Sequence, residues 1–154
     1  SKVIVNDLNE SRLAAVSEFD PFFKTYHGDG LKEYIMAETE GRGVDACITA
    51  CPAPAAQAMA LERLAMNGRV NFFGGLPAGR DRVELSTNLI HYKQLVVTGS
   101  ARASLRQYRT CMRLVESGII GIDGILSAEY PLEDYEKAIT AARRGEKLKH
   151  IFVF

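Results

Sequence analysis

The chain has 154 residues, of which 47% are hydrophobic and 25% charged, a composition typical of one globular domain that excludes an intrinsically disordered chain. Its 19 acidic and 19 basic residues balance, so we expect no general attraction to nucleic acid or to an anionic membrane surface. No apolar run approaches the roughly 20 residues of a membrane helix, and residues 1–4 are unlike a signal peptide.

Strand and helix patterns alternate along almost the whole chain. The first predicted elements are a strand at 2–7, a helix at 9–19 with Asn9 as N-cap, a strand at 22–26, a helix at 31–40 capped by Asp29, a strand at 44–51 and a helix at 54–67 stopped by Gly68. The later ones are strands at 70–73, 83–85 and 95–98, a helix at 105–117, a strand at 125–130, a helix at 132–144 and a strand at 151–154. This alternation predicts an α/β fold with a parallel sheet and helices on both of its faces.

The cysteine and histidine content bears on location and on metal binding. The cysteines are Cys47, Cys51 and Cys111, and the histidines are His27, His91 and His150. An odd number of cysteines does not suit a disulfide framework, so we expect reduced thiols and a cytoplasmic location. The histidines are scattered and no C-x-x-C pair occurs, so we expect no zinc-ligand cluster within the chain.

An acidic residue, Asp7, ends the first predicted strand and precedes a helix. In a dinucleotide-binding fold, a carboxylate at this point hydrogen-bonds the ribose hydroxyls of the adenosine, and it repels the 2′-phosphate of NADP. Arg12, one turn into the helix, would then lie against the adenine or pair with Asp7. The alternative is that Asp7 only caps the helix.

Small residues end two further predicted strands. Phe73 ends one strand, and Gly74 and Gly75 follow it, where glycine would let a planar ligand approach the backbone. A run of Gly99, Ser100, Ala101 and Arg102 follows the next strand. Ligands of open parallel sheets lie beyond the carboxyl ends of the strands, although a plain turn and a solvated arginine are the alternatives.

Cys47 and Cys51 lie four residues apart on one predicted strand and share a face. Both are expected to be buried as small apolar side chains, while Cys51, at the strand end, is a candidate neighbour of the adenine. His91 is expected to be a packed loop histidine without a catalytic role.

Three ordered stretches of the chain resemble the zinc-containing medium-chain dehydrogenases, in particular the sorbitol, threonine and sugar-phosphate branch. They are VIVNDL at 3–8 followed by Arg12, VNFFGGLP at 70–77, and NLIHY at 88–92 leading to VTGS at 97–100. The resemblance implies that Asp7 and Arg12 hold the adenosine of NAD. It places the nicotinamide end of NAD beside Phe73, Gly74, Gly75, the backbone of Ser100 and Ala101, and Arg102.

The resemblance also implies a Rossmann-type fold in which residues 1–148 form a partial NAD-binding domain and residues 149–154 a strand of a catalytic domain. The G-x-G-x-x-G loop of that fold precedes the strand that ends in Asp7, and it is not in this sequence. Because the first strand of the Rossmann fold is also not in this sequence, the strand ending at Asp7 is expected to be separated from the strand ending at Cys51. The chain alone is therefore expected to be inactive and to bind NAD weakly.

The activity that the resemblance implies is NAD-dependent oxidation of an alcohol, polyol or sugar derivative, with zinc held by a catalytic domain outside this sequence. The implied partners are this small-molecule substrate and a second copy of the chain, paired through an edge strand from Arg82 to Leu85. Two alternatives stay open. One is a zinc-independent reductase of the same superfamily, and the other is a non-enzymatic nucleotide-binding module.

Overall fold

The computed structural model describes the backbone of residues 1–154 and every side chain except that of residue 127. In chain order its elements are β1 (Val3–Asn6), α1 (Glu10–Phe19), β2 (Phe23–Tyr26), α2 (Leu31–Glu38), β3 (Val44–Thr49), α3 (Pro54–Ala60), β4 (Leu64–Phe72), α4 (Thr87–Lys93), β5 (Val96–Gly99), α5 (Leu105–Glu116), β6 (Leu126–Pro131), α6 (Tyr135–Arg143) and β7 (Lys149–Val153). Its strand pairs are parallel, which confirms the predicted α/β fold.

The chain divides into two compact units. Unit 1 comprises Ser1–Asp29 and Ala103–Phe154, and unit 2 comprises Gly30–Arg102. Across the described residues, no helix is long and apolar enough to cross a membrane.

The first sheet of unit 1 is a β1–β2 pair whose register runs from Val3 opposite Phe23 to Asn6 opposite Tyr26. Helix α1 joins the two strands and buries Leu13. The predicted cap is confirmed, because the Asn9 side chain accepts hydrogen bonds from the first-turn backbone N–H groups of Ser11 and Arg12, at 2.9 and 3.3 Å.

The second sheet of unit 1 pairs β6 with β7 in parallel. Helix α6 connects these strands and buries Ala138 and Ala141. The terminal strand thus lies in unit 1, paired with the strand that precedes α6.

Unit 2 contains a three-stranded sheet in the order β3-β4-β5. Its core consists of Ala60, Leu61, Leu64, Val70 and Leu95. Val70 lies opposite Val97 in the β4–β5 register, so both side chains point to the sheet face that packs on this core.

Strands β1 and β3 belong to different sheets, which confirms the predicted separation of the strand before Asp7 from the strand before Cys51. Each of these strands ends its sheet on one side. Within the described chain, one edge of β1 and one edge of β3 therefore lack a strand partner.

The predicted helix at 54–67 was wrong in its second half. Helix α3 ends at Ala60, a 3-10 turn spans Leu61–Arg63, and β4 begins at Leu64. Asn67 has a left-handed φ of 58°, and the β3–β4 register shifts between Val44 and Ala46, so this part of β4 bulges. Burial of Leu61 and Leu64 in the core overrides the helix propensity of the Ala- and Leu-rich sequence.

Three smaller predictions also fail. Residues 83–85 form no strand, because their backbone pairs with no strand of the described chain, although Leu85 packs on the unit 2 core. Residues 88–92, predicted as a loop around His91, lie in α4. Asp29 does not cap α2, because the N-cap is Gly30 and makes no side-chain capping bond.

Lys93, the last residue of α4, donates to backbone carbonyl groups of the 3-10 turn at 61–63 and of the first residue of β4. Its Nζ donates to the Leu64 carbonyl at 2.7 Å and to the Glu62 carbonyl at 3.4 Å. Lys93→Met should leave the part-buried Leu64 carbonyl without this donor and lower the free energy of unfolding by about 1–3 kcal/mol.

Urea denaturation measures this loss, with Lys137→Met as the control. Lys137 pairs with Asp134 at 2.8 Å on an exposed surface, where an ion pair contributes at most about 1 kcal/mol. Equal losses for the two variants would show that the Lys93 contacts contribute no more than a surface ion pair.

Candidate functional site

In unit 1, Asp7 and Arg12 lie together just beyond the end of β1. The Asp7 carboxylate accepts the backbone N–H of Asn9 at 2.9 Å, and its other oxygen lies 3.6 Å from a guanidinium nitrogen of Arg12. Of the two positions considered for Arg12, the structure shows the pairing with Asp7. The helix cap is Asn9 rather than Asp7, so capping does not account for the carboxylate at position 7.

The Asp7–Arg12 pair stays accessible to a ligand. The side chains are 35% and 45% exposed, so both charges retain contact with solvent. The carboxylate can therefore accept hydrogen bonds from two neighbouring hydroxyl groups on its exposed side.

Sequence reasoning missed two residues in this region, one that contacts the segment between Asp7 and Arg12 and one that lies beside Arg12. His27 follows β2 and bridges the loop after β1, with Nε2 3.3 Å from the Leu8 carbonyl oxygen and Nδ1 3.2 Å from Glu10. Gly145, after α6, is close enough that a Cβ there would lie 3.3 Å from an Arg12 guanidinium nitrogen. The parallel pairing of β1 with β2 was the available signal for His27, whereas nothing in the local pattern indicated Gly145.

In unit 2, Gly74 packs tightly against the loop that follows β3. A Cβ at Gly74 would lie 2.7 Å from the Cys51 carbonyl oxygen. Its N–H donates to the Thr49 carbonyl at 2.7 Å, and its carbonyl accepts from the Gln57 side chain at 3.0 Å. The packing of the protein on itself therefore requires glycine at position 74.

Phe73 and Gly75, on either side of Gly74, are open to solvent. The Phe73 side chain is 62% exposed, and a Cβ built at Gly75 would meet no atom within 4 Å. An exposed ring beside uncovered backbone at a strand end is a surface on which a flat heterocycle can lie.

Ser100, Ala101 and Arg102 follow β5 and are all exposed. The Ser100 N–H makes a long hydrogen bond of 3.4 Å to the Phe72 carbonyl, and its hydroxyl donates to the Asn71 side chain at 2.9 Å. Arg102 has a left-handed φ of 59°, a backbone conformation that residues other than glycine rarely adopt. Such local strain is often found at ligand-binding segments.

The predicted site residues thus fall into two groups, one in each unit. Unit 1 brings Asp7 and Arg12 together. Unit 2 places the remaining seven at or just beyond the ends of its three parallel strands, namely Cys51, Phe73, Gly74, Gly75, Ser100, Ala101 and Arg102.

The two cysteines near β3 differ in exposure, so the prediction that both are buried was wrong for Cys51. Cys51 lies beyond the end of β3 and is exposed, whereas Cys47 is partly buried against the unit 2 core. Burial raises the pKa of the Cys47 thiol, and the charge of Arg63 opposes this only in part.

This difference predicts the order in which the thiols are alkylated. The thiolate is the reactive form, and a raised pKa leaves less of it at a given pH. At mildly alkaline pH, iodoacetamide should modify the exposed Cys51 and Cys111 well before Cys47. Peptide mass spectrometry over time checks this order, with the denatured chain as the control in which all three react alike, and early labelling of Cys47 would contradict it.

Two other kinds of site receive no support. Among the described side chains, no three His, Cys, Asp or Glu residues lie close enough to hold a metal ion. A concave surface along α5 is lined by Leu105, Arg106, Arg109, Met112, Arg113 and Glu116, and it contains none of the predicted site residues.

Comparison with known proteins identifies the family. The family model described as "Zinc-binding dehydrogenase" matches residues 1–117. The chain is 33% identical over 155 residues to L-threonine 3-dehydrogenase from Pyrococcus furiosus, an alignment that covers 98% of this chain and 44% of that protein. The chain therefore spans less than half the length of this relative.

Solved structures share the fold. Alcohol dehydrogenase TADH from Thermus sp. ATN1 matches 100% of this chain and 44% of its own, with a TM-score of 0.86 and 24% identity. An alcohol dehydrogenase from E. coli CFT073, solved as a complex with NADH, matches 100% of this chain and 45% of its own, with a TM-score of 0.85 and 19% identity. The chain belongs to the zinc-binding dehydrogenase family.

Proposed function

We propose that the chain is the NAD-binding portion of a dehydrogenase that oxidises an alcohol, polyol or sugar derivative. The observation that carries the proposal is the placement of exposed small residues beyond the ends of β3, β4 and β5, in a chain that also presents the Asp7 carboxylate beyond β1. Parallel α/β sheets bind their ligands at this end of the strands.

Unit 1 would hold the adenosine of NAD. The Asp7 carboxylate accepts hydrogen bonds from the ribose hydroxyls, and its negative charge repels a 2′-phosphate. Arg12, which Asp7 holds at 3.6 Å, offers a flat cation on which adenine stacks.

Unit 2 would hold the nicotinamide end of NAD. The exposed Phe73 ring and the uncovered backbone at Gly75 offer surface to the nicotinamide ring. The backbone of Ser100 and Ala101 would hydrogen-bond the carboxamide, and Arg102 would point toward the cofactor or the substrate. Gly74 supports this segment through its contact with the Cys51 loop.

Bound NAD would supply the hydride acceptor for oxidation of the carbinol carbon of the substrate, with the hydroxyl proton released as the carbonyl product forms. Substrate polarisation by zinc would depend on residues outside this sequence, because the described residues offer no metal site. The role of this chain is to bind NAD and to orient its nicotinamide.

The substrate class is tested by NADH formation in the protein expressed from its complete reading frame. Threonine is included among the substrates because a relative is named L-threonine 3-dehydrogenase, with sorbitol and a simple primary alcohol beside it. We expect activity with NAD that a chelator abolishes and zinc restores. NADPH oxidation that resists the chelator would favour the zinc-independent reductase, and cofactor binding without turnover would favour the nucleotide-binding module.

We further propose a cytoplasmic homo-oligomer. The free cysteines Cys47, Cys51 and Cys111 suit a reducing compartment. Burial alternates along the segment from Arg82 to Leu85, with positions 83 and 85 partly buried and 82 and 84 exposed. This is the pattern of an extended segment able to pair with a copy of itself.

Val83→Pro should therefore weaken the dimer. Proline removes a backbone donor and fits poorly between paired strands. Sedimentation velocity at several concentrations measures the effect, with Val3→Pro outside this segment as the control for general damage. A dimer that survives Val83→Pro unchanged would remove this segment from the interface.

A further inference from the structure

Three polar side chains form a hydrogen-bonded chain across β4 and β5, on the sheet face opposite the unit 2 core. Asn71 lies opposite Thr98 in the register, and Ser100 lies two residues further along on the same face. The Asn71 Nδ2 donates to the Thr98 hydroxyl at 3.4 Å, and the Ser100 hydroxyl donates to the Asn71 Oδ1 at 2.9 Å. We call these residues the Asn71 triad.

The triad lies beside residues that pack on the unit 2 core. Val70 and Val97, next to Asn71 and Thr98 along their strands, pack in or against the core. On the face of the triad, Ile48 lies opposite Asn71 and is 68% exposed. Asn71 and Thr98 are polar residues at paired positions and add nothing to the apolar core. The reason for their hydrogen bonds must therefore lie outside core packing.

The donor and the acceptor of each hydrogen bond in the triad are fixed by its neighbours. The Thr98 hydroxyl donates to the Val70 carbonyl at 2.9 Å, so its lone pair is left to accept from Asn71. The Asn71 amide therefore uses its donor on Thr98 and its acceptor on Ser100. Aspartate cannot reproduce this arrangement, because it would place an acceptor against the Thr98 lone pair.

The backbone of Ser100 is otherwise weakly held. Strand β5 ends at Gly99, and the hydrogen bond from the Ser100 N–H to Phe72 is long, at 3.4 Å. The shortest bond that holds Ser100 in the structure is the one from its hydroxyl to Asn71. Arg102 follows two residues later with a left-handed φ, a conformation that persists where the surrounding structure holds it.

We propose that Asn71 is a positioning residue for the nicotinamide end of NAD. By holding Ser100, it sets the direction of the Ser100 and Ala101 backbone groups that bind the carboxamide. This inference rests on the proposed function. Asn71 itself does not touch the cofactor, so its effect is confined to the part of NAD that Ser100 and Ala101 bind.

The test compares NAD with ADP-ribose, which lacks the nicotinamide, in calorimetric titrations of the protein from its complete reading frame. Asn71→Leu should weaken NAD binding about five- to tenfold and leave ADP-ribose binding unchanged. Ser100→Ala should act in the same way, and the double variant should be no weaker than Asn71→Leu alone, because both remove the same hydrogen bond. Asn88→Leu, on the exposed surface of α4, is the matched control and should bind both ligands normally.

Equal weakening of NAD and ADP-ribose by Asn71→Leu would assign the triad a structural role only and overturn the inference. Unchanged binding of both would also overturn it, as would additive effects in the double variant. If Asn71→Leu does not fold, Ser100→Ala, whose side chain is exposed, gives the same comparison. Absence of NAD and ADP-ribose binding by the unaltered protein would overturn the proposed function itself.

Discussion

Gly43→Ala is expected to lower the stability of unit 2 more than any other change considered. Gly43 has a left-handed φ of 86°, and a Cβ there would lie 2.7 Å from the Arg63 carbonyl oxygen and 2.9 Å from the Ala65 nitrogen. The left-handed conformation costs alanine roughly 1–2 kcal/mol. Overpacking against backbone that cannot swing aside adds about 1–3 kcal/mol. Chemical denaturation of the purified chain measures the sum.

Gly41→Ala is the matched control, two residues away in the same turn. Gly41 also has a left-handed φ, of 78°, but a Cβ there would meet nothing within 4 Å. It should therefore show only the conformational cost. The difference between the two variants isolates the contact with the segment that joins α3 to β4. Equal losses would mean that this segment moves away from β3 without penalty.

Asp7→Ala is expected to have the largest effect on cofactor binding. Loss of the carboxylate removes the acceptor proposed for the ribose hydroxyls. It also frees Arg12, whose guanidinium lies 3.6 Å from the Asp7 carboxylate in the unaltered chain. Hydrogen bonds to a charged group contribute about 1.5–3 kcal/mol, so NAD affinity should fall roughly 10- to 100-fold. NADP should lose less or gain, because the repulsion of its 2′-phosphate disappears while the Arg12 cation remains. Equilibrium titrations with both cofactors measure the change in preference.

Asp45→Ala serves as the control for loss of an exposed aspartate next to an arginine. Asp45 hydrogen-bonds Arg42 on the surface of unit 2, and that hydrogen bond holds the pKa of the Asp45 carboxyl below its usual value. Its removal should leave both cofactor affinities unchanged. An unchanged NAD to NADP preference in Asp7→Ala would exclude Asp7 from the adenosine site.

Most of the elements followed from local signals in the sequence. Asn9 caps α1 as its side chain predicts, and the short apolar run at 44–51 contains strand β3. Local signals did not predict the boundary between α3 and β4, because two interactions between residues distant along the chain decide it. These are the burial of Leu64 in the core and the hydrogen bond that Lys93 donates to the Leu64 carbonyl.

The candidate site was predictable at the level of strand ends and not at the level of contacts. Asp7 and Ser100 were predicted as site residues because charged or small residues follow apolar runs. The reason for glycine at 74 was not visible, since it depends on the Cys51 backbone that lies beside it in space. Asn71 was missed for the same reason, because its partner Ser100 is 29 residues away along the chain.

The most direct test of the proposed NAD contacts is a nuclear magnetic resonance titration of the isotope-labelled protein from its complete reading frame. NAD should shift the backbone amide signals of Asp7 and Arg12 in unit 1 and of Gly75 and Ala101 in unit 2. ADP-ribose should shift those of Asp7 and Arg12 alone. A response to NAD that is missing in either unit would contradict the assignment of adenosine to unit 1 and nicotinamide to unit 2. So would a shift of the Gly75 and Ala101 signals by ADP-ribose.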